Sequence, residues 1–120
     1  MKVAIIGSRG IKRYNLDKVM PNGVTAIVSG GAKGIDTIAA EYAKERNLKL
    51  IEFLPEYDKY PGKIAPLIRN DKIVEEADIV IAIWDGESRG TMYTVNRAKK
   101  MGKPVKVVKI TNTIQDMLPF

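Results

Sequence analysis

The sequence contains no cysteine and no histidine among its 120 residues. The first absence excludes disulfides and thiolate metal sites, and the second removes both the commonest metal ligand and the side chain that titrates near neutral pH. No apolar run approaches the roughly 18 residues of a membrane helix, and Met1-Lys2 leads straight into a strand pattern without a cleavable apolar segment. We therefore expect a cytoplasmic protein that contacts no membrane and requires neither a metal nor a resident cofactor.

Acidic residues are in the minority, with 14 aspartates and glutamates against 20 lysines and arginines, which gives a net charge of +6. This excess is compatible with a polyanionic partner, but the basic residues are spread along the chain, as is typical of a solvated surface. A chain of 120 residues is long enough for one hydrophobic core and too short for two. The sequence predicts one domain over residues 1–110 and a weakly patterned tail at 111–120.

Strand and helix patterns alternate along the chain. Strands are predicted at residues 2–6, 24–28, 48–53, 78–84 and 104–109, and helices at 15–20, from 35 onward, at 65–77 and at 91–101. This alternation predicts an α/β fold in which helices cover both faces of a mostly parallel sheet of about five strands. The expected strand order is 3-2-1-4-5, and ligands of such folds bind beyond the carboxyl ends of the strands, where the winding reverses.

A glycine-rich turn joins the second strand to the helix that begins at residue 35. The turn reads SGGAKG over residues 29–34, and the helix is apolar at positions 35, 38, 39, 42 and 43, which form one face. Glycines let a ligand approach the backbone, and the free N–H groups of a helix start attract an anion. Two adjacent glycines plus a third exceed what a turn alone needs, so Ser29, Gly30, Gly31 and Gly34 are predicted to bind a phosphate. A tight turn that binds nothing is the alternative.

Two further turns follow strands at the same edge of the expected sheet. Gly7, Ser8 and Arg9 come after the first strand, and the guanidinium of Arg9 can hold a phosphate by two hydrogen bonds. After the fourth strand, Gly90 and Thr91 offer N–H groups and a hydroxyl at a helix start, which predicts a second phosphate site. The other candidates in this turn are Asp85, Ser88 and Trp84, whose ring either edges the pocket or caps the core.

Charged and aromatic side chains near these turns complete the candidate site. Asp36 lies in the first turn of its helix, where it either accepts hydrogen bonds from ribose hydroxyls or complements the helix dipole. Arg69 is expected to face an open pocket, to bind the charged part of the ligand together with Arg9, and to support little of the core; an exposed surface arginine is the alternative. Asn70 is expected to brace a neighbouring loop. Tyr57 and Tyr60 are candidates for stacking on a base, with packing as the alternative.

Five sequence blocks resemble the SLOG superfamily of Rossmann-like nucleotide-binding domains. They read GSRG, SGGAKGID, RN, ADIVIAIWDGESRGT and GKPV in that order, and together they span roughly residues 1–110. The superfamily includes DprA/Smf proteins, LOG-type phosphoribohydrolases and small YspA-like stand-alone members, and the chain resembles the last group most. The resemblance implies a single Rossmann-like three-layer domain with a pocket for a nucleotide or an ADP-ribose-like ligand at the strand ends.

The chain departs from the LOG enzymes at one position. These enzymes carry a glutamate three residues after their Gly-Thr pair and use it with an arginine to cleave an N-glycosidic bond. Here Thr94 occupies the glutamate position, whereas Arg69 matches the arginine. The reaction needs a carboxylate near the developing positive charge, which Asp36, Asp85 or Glu87 would have to supply. We therefore predict a binding protein rather than an enzyme.

The functional prediction is a sensor, carrier or sequestering protein for a nucleotide-type ligand, assembled as a homodimer or a higher homo-oligomer. One alternative is a nucleotide-processing hydrolase. Another is a DprA-like binder of single-stranded DNA, which would use a basic groove with aligned aromatic side chains. A third is an NAD-type site, in which Glu52 stands about where dinucleotide folds place a ribose-binding acid.

Overall fold

Short apolar runs form the strands at the centre of the molecule. The computed structural model describes residues 1–110, and the tail predicted at 111–120 lies outside the described residues. The strands are β1 (Lys2–Gly7), β2 (Ala26–Ser29), β3 (Lys49–Glu52), β4 (Ile79–Trp84) and β5 (Val105–Lys109). All neighbouring strands pair in parallel, in the order β3-β2-β1-β4-β5. The predicted fold class and strand order are confirmed.

Three α-helices cover the two faces of this sheet. They are α1 (Ile35–Glu45), α2 (Ala65–Glu76) and α3 (Arg89–Lys100). Because side chains alternate across a strand, β1 sends Val3 and Ile5 to the face packed by α1 and sends Ala4 and Ile6 to the face packed by α2 and α3. The result is the expected three-layer arrangement, with a separate apolar cluster on each side of the sheet.

The helix predicted at residues 15–20 is only one 3₁₀ turn, Leu16–Lys18. The Asn15 side chain caps it as expected, since its oxygen accepts the Asp17 N–H at 3.1 Å. Pro21 follows closely, and the residue before a proline is disfavoured in the helical region, so the segment cannot extend. Within residues 1–110, no helix is both long enough and apolar enough to cross a membrane.

Candidate functional site

A cleft of about 420 Å³ opens at the carboxyl ends of β1 and β4. We call it the main cleft. α2 forms one wall, and the turn after β4 and the first residues of α3 form the other. Most of the predicted site residues line it: Gly7, Arg9, Asp36, Arg69, Asn70, Asp85, Ser88, Gly90 and Thr91. The structure thus brings the turns after β1 and β4 together with α1 and α2, as expected from a reversal of winding.

A second cleft of about 350 Å³ adjoins the first. Gly30 and Gly31 line it together with Lys33 and Tyr57, which belongs to the loop between β3 and α2. The residues common to both clefts are Arg9, Ala32 and Arg69. The predicted site is therefore divided into two compartments that meet at two arginines.

Ser8, in the turn after β1, is hydrogen-bonded to the end of β4, to the start of α1 and to the turn after β4. Its N–H donates to the Ile83 carbonyl at 3.1 Å, and its carbonyl accepts the Ile35 N–H at 3.5 Å. Its hydroxyl accepts the Asp85 N–H at 3.1 Å. Ser8 is only 1% exposed and lines neither cleft. Its position makes it a brace for the site rather than part of its surface.

Several other predicted residues also lie off both clefts. They are Ser29, Gly34, Trp84, Tyr60, Glu52 and Glu87. The Trp84 ring nitrogen donates to the Ser88 carbonyl at 3.0 Å and so supports the turn after β4. The buried Ser29 hydroxyl has no well-oriented hydrogen-bond partner within residues 1–110, although it lies close enough to Asp36 to lower that carboxyl's pKa.

The glycines of the turn at residues 29–34, which we call the first turn, are restricted by the protein itself: Gly34 by neighbouring backbone, Gly31 by its φ of +68°, and Gly30 by the buried Arg69 side chain. A Cβ on Gly34 would stand 2.4 Å from the Arg9 carbonyl oxygen, and its φ is +73°. A Cβ on Gly31 would meet Leu54 at 2.6 Å, and one on Gly30 would meet the Arg69 guanidinium at 2.5 Å. The premise that three glycines exceed the needs of this turn is therefore wrong.

Arg69 reaches from α2 into the first turn. Its Nη1 donates to the Gly30 carbonyl at 2.6 Å, its Nε donates to the Asn70 side-chain oxygen at 2.8 Å, and the residue is only 8% exposed. Burial lowers the pKa of its guanidinium, whereas the charge of Asp36 raises it. Arg69 holds the first turn in place, so the expectation that it supports little of the core is wrong. Asn70 braces Arg69 rather than a neighbouring loop.

Asp36 is the buried carboxylate of the main cleft. Its Oδ2 accepts the Ala32 N–H at 3.1 Å. Burial raises the pKa of this carboxyl, and the Ala32 hydrogen bond and the charge of Arg69 oppose the rise. The Asp36 carboxylate lies at the N-terminal end of α1 and borders the main cleft, where it can accept hydrogen bonds from ligand hydroxyls.

The turn at residues 85–90, which we call the second turn, is held by its own side chains. Asp85 Oδ1 accepts the N–H groups of Glu87 and Ser88 at 2.8 and 2.9 Å, and these bonds hold the pKa of Asp85 below its usual value. Ser88 caps α3 by accepting the Thr91 N–H at 3.3 Å. A Cβ on Gly90 would have no neighbour within 4 Å beyond the helix's own backbone. Here the glycine faces open space.

The structure adds cleft residues that sequence reasoning missed. Gly10 lines the main cleft, and a Cβ there would also be free of contacts within 4 Å. Ala32 borders both clefts. Thr94, already noted at the LOG glutamate position, also lines the main cleft and donates its hydroxyl to the Gly90 carbonyl at 3.1 Å. The GSRG and SGGA blocks already contained Gly10 and Ala32, so a search of whole blocks would have found them.

Two carboxylates, those of Asp36 and Asp85, line the main cleft. No group of three or more acidic side chains within residues 1–110 is arranged to hold a metal ion. Asp36 and Asp85 stand on the walls of the main cleft, each engaged with backbone N–H groups. Their arrangement suits hydrogen bonding to a polar ligand.

Comparison with known proteins places the chain in a family. Residues 1–60 match the YspA, cpYpsA-related SLOG family. The chain belongs to this family. The Gene 61 protein of Mycobacterium phage D29 is 34% identical over 84 residues, which cover 66% of this chain and 67% of that protein. This SLOG domain is also similar to the X-ray structure of DNA processing protein A (DprA) from Streptococcus pneumoniae, with 27% identity and a TM-score of 0.75. The likeness covers 98% of this chain but only 52% of the DprA chain, so the SLOG domain spans about half of that protein.

Proposed function

We propose that this SLOG domain binds a nucleotide or nucleotide-derived ligand in the main cleft and acts as a sensor, carrier or sequestering protein. Its family and its likeness to a DNA processing protein support a role with nucleotides or DNA in general. Confinement to the cytoplasm and assembly as a homo-oligomer remain predictions.

The open space at Gly90 carries the proposal. Gly90 lies at the N-terminal end of α3. There the N–H groups lack partners within the helix, and the positive end of the helix dipole favours an anion. Arg9 lines the same cleft and is exposed, so a guanidinium is available to the same anion. Both groups line the main cleft, so the anionic part of a ligand there can approach either of them.

The remaining walls suit the other parts of a nucleotide. The carboxyls of Asp36 and Asp85 can accept hydrogen bonds from ribose hydroxyls. Pro66, Leu67 and Ile73 of α2 give the cleft an apolar side that can pack against a ring. This combination of an anion site, carboxylates and an apolar wall supports a nucleotide over a simple anion.

Calorimetric titration with AMP tests the proposal. Gly90→Leu should reduce the affinity for AMP by at least about tenfold, because its side chain fills the space beside α3. Gly62→Leu is the matched control, since a Cβ there also meets nothing within 4 Å and the residue lines neither cleft. Equal affinities in both variants, or no binding of AMP or related nucleotides to the unaltered protein, would contradict the proposal.

A nucleotide-processing hydrolase is the second candidate, favoured by the two carboxylates of the main cleft. Burial raises the pKa of Asp36, whereas hydrogen bonds lower that of Asp85, and such opposed shifts are typical of acid and base pairs. Thr94 leaves no carboxylate at the position of the LOG glutamate. Release of free base from AMP at an enzyme-like rate, abolished in Asp36→Asn, would establish this candidate in place of a binding protein.

Binding of single-stranded DNA is the third candidate, and the DprA likeness favours it. Neutralising several phosphates would make the affinity fall steeply with salt concentration. A protein that holds one nucleotide should show a much shallower dependence. Titration with AMP and with a single-stranded oligonucleotide at low and high salt separates the two.

A further inference from the structure

The two clefts differ in the charge of their walls. The main cleft carries Asp36 and Asp85 as well as two arginines. The charged residues that line the second cleft are Arg9, Lys33 and Arg69, all of them cationic. The arginines are the charged residues common to both compartments. In a ligand that occupied both clefts, the anionic group would therefore lie between these two arginines.

The arginines of this shared wall lie close enough to influence each other. The charge of Arg9 contributes to lowering the pKa of Arg69, although burial is the larger cause. Two like charges beside one passage repel each other, and an anion between them would relieve that repulsion. Arg69 is already bonded to Gly30 and Asn70, whereas Arg9 is exposed and free to turn toward a ligand.

The second cleft also presents an aromatic ring. Tyr57 is 59% exposed and lines this cleft, so its ring is accessible from the compartment. The adjacent Glu56 anchors the loop, because it pairs with Lys72 of α2 and, at 2.9 Å, with Lys59. These pairings lower the pKa of Glu56 to about 2, so the anchor stays charged at neutral pH. An exposed ring on an anchored loop beside cations is a suitable surface for stacking a base.

We infer that the ligand has two ring-bearing halves joined through phosphate, with one half in the main cleft, the phosphate between Arg9 and Arg69, and the second ring against Tyr57. This inference rests on the proposed function and specifies the class of ligand. Each cleft alone lies near the lower end of the volumes of small-molecule pockets, and the two are contiguous. A mononucleotide would occupy the main cleft and leave the second one empty.

Calorimetry with a graded series of probes tests the inference. Diadenosine diphosphate and the dinucleotide pApA carry a second ring, AMP does not, and ADP adds a phosphate without a ring. At least one of the two-ring probes should bind about tenfold or more tighter than AMP and ADP, the gain expected from one stacked base. The stronger of the two identifies the linkage as a diphosphate or a phosphodiester.

Substitutions of Tyr57 test whether its ring stacks on the second base. Tyr57→Ala should remove the gain of the two-ring probe over AMP, whereas Tyr57→Phe should keep that gain because the ring remains. Tyr60→Ala is the control, since Tyr60 lines neither cleft. Far-ultraviolet circular dichroism and melting curves confirm that each variant is folded.

The possible failures are distinguishable. If AMP binds but neither two-ring probe binds tighter, or if Tyr57→Ala leaves their gain intact, the further inference is wrong and the proposed function stands. If no probe binds, the proposed function is wrong as well. If affinity keeps rising from pApA to longer oligoadenylates, the surface is an extended nucleic-acid groove, and the inference of two halves is overturned.

Discussion

The first and second turns occupy equivalent places after β2 and β4, yet they are built differently. The first turn is held from outside by Arg69 of α2, and its glycines are packed against other parts of the protein. The second turn is held from within by Asp85 and Ser88, and Gly90 faces open space. Both sequences look like anion-binding loops, but only at Gly90 does the absence of a side chain leave room for a ligand.

A glycine in a turn can be required by the backbone conformation and packing, or it can leave space for a ligand to occupy. At Gly34, glycine is needed because φ is +73° and two backbone carbonyls approach the Cβ position. At Gly90, no steric requirement of the fold explains the residue. A glycine that the fold does not require indicates a binding surface only where it also lines a cleft, as Gly90 does and Gly62 does not. The contrast should be measurable in the stability of variants.

Gly34→Ala should have the largest effect. The new Cβ would overlap the Arg9 and Ser8 carbonyl oxygens in addition to the strained φ, so we expect the free energy of unfolding to fall by about 3 kcal/mol or more. Gly102→Ala is the matched control, because Gly102 has a φ of +72° but no neighbour within 4 Å of a Cβ. It should lose only the conformational part, roughly 1–2 kcal/mol. Equal losses in denaturant unfolding would mean that packing does not dictate glycine in the first turn.

Arg69→Ala should have the next largest effect. It removes a buried, charge-assisted hydrogen bond to the Gly30 carbonyl, which should cost about 1.5–3 kcal/mol in the free energy of unfolding. Arg97→Ala in α3 is the control: its ion pair with Asp71 is partly exposed and should contribute no more than about 1 kcal/mol. A larger loss in Arg97→Ala would contradict the role assigned to Arg69.

Asp36, at the start of α1 just after the first turn, and Asp85 of the second turn should change the stability by smaller amounts and in opposite directions with pH. Folding raises the pKa of Asp36, so its folded form binds the proton more tightly, and stability should fall as pH rises from the ordinary value of 3.8 through the raised value. Folding lowers the pKa of Asp85, so its contribution is present above 3.8 and is lost as pH falls through the lowered value. Unfolding curves of the unaltered protein, Asp36→Asn and Asp85→Asn from about pH 3 to pH 6 should separate the two trends. Trends of the same sign would contradict the contrast.

Local patterns were enough to predict most of the fold. The alternating patterns predicted five strands and three helices, and the clearest signals are the runs of β1 and β4, which are largely buried. The strand order was expected from the α/β fold class. The segment at 15–20 was overestimated, since its length depends on the nearby Pro21 rather than on its own propensity. The edge of the sheet where the site lies also followed from strand order.

The environment of individual side chains could not be predicted from the sequence. Arg69 looks like any arginine in a helix, and its bond to the Gly30 carbonyl depends on how α2 packs across the sheet. Nor can a sequence distinguish Gly34, which the fold requires, from Gly90, which it does not. The second cleft likewise depends on how the loop that carries Tyr57 packs beside the first turn, which the sequence does not indicate. Such contacts between distant segments determine which predicted residues face a ligand.

Amide NMR spectra recorded during titration with AMP would show whether a nucleotide binds against the second turn in the main cleft. We expect the amides of Gly10 and Gly90 to shift most, while those of Gly62 and Gly102 stay in place. Shifts confined to Gly30 and Gly31 of the first turn, or no shifts at saturating AMP, would contradict this expectation.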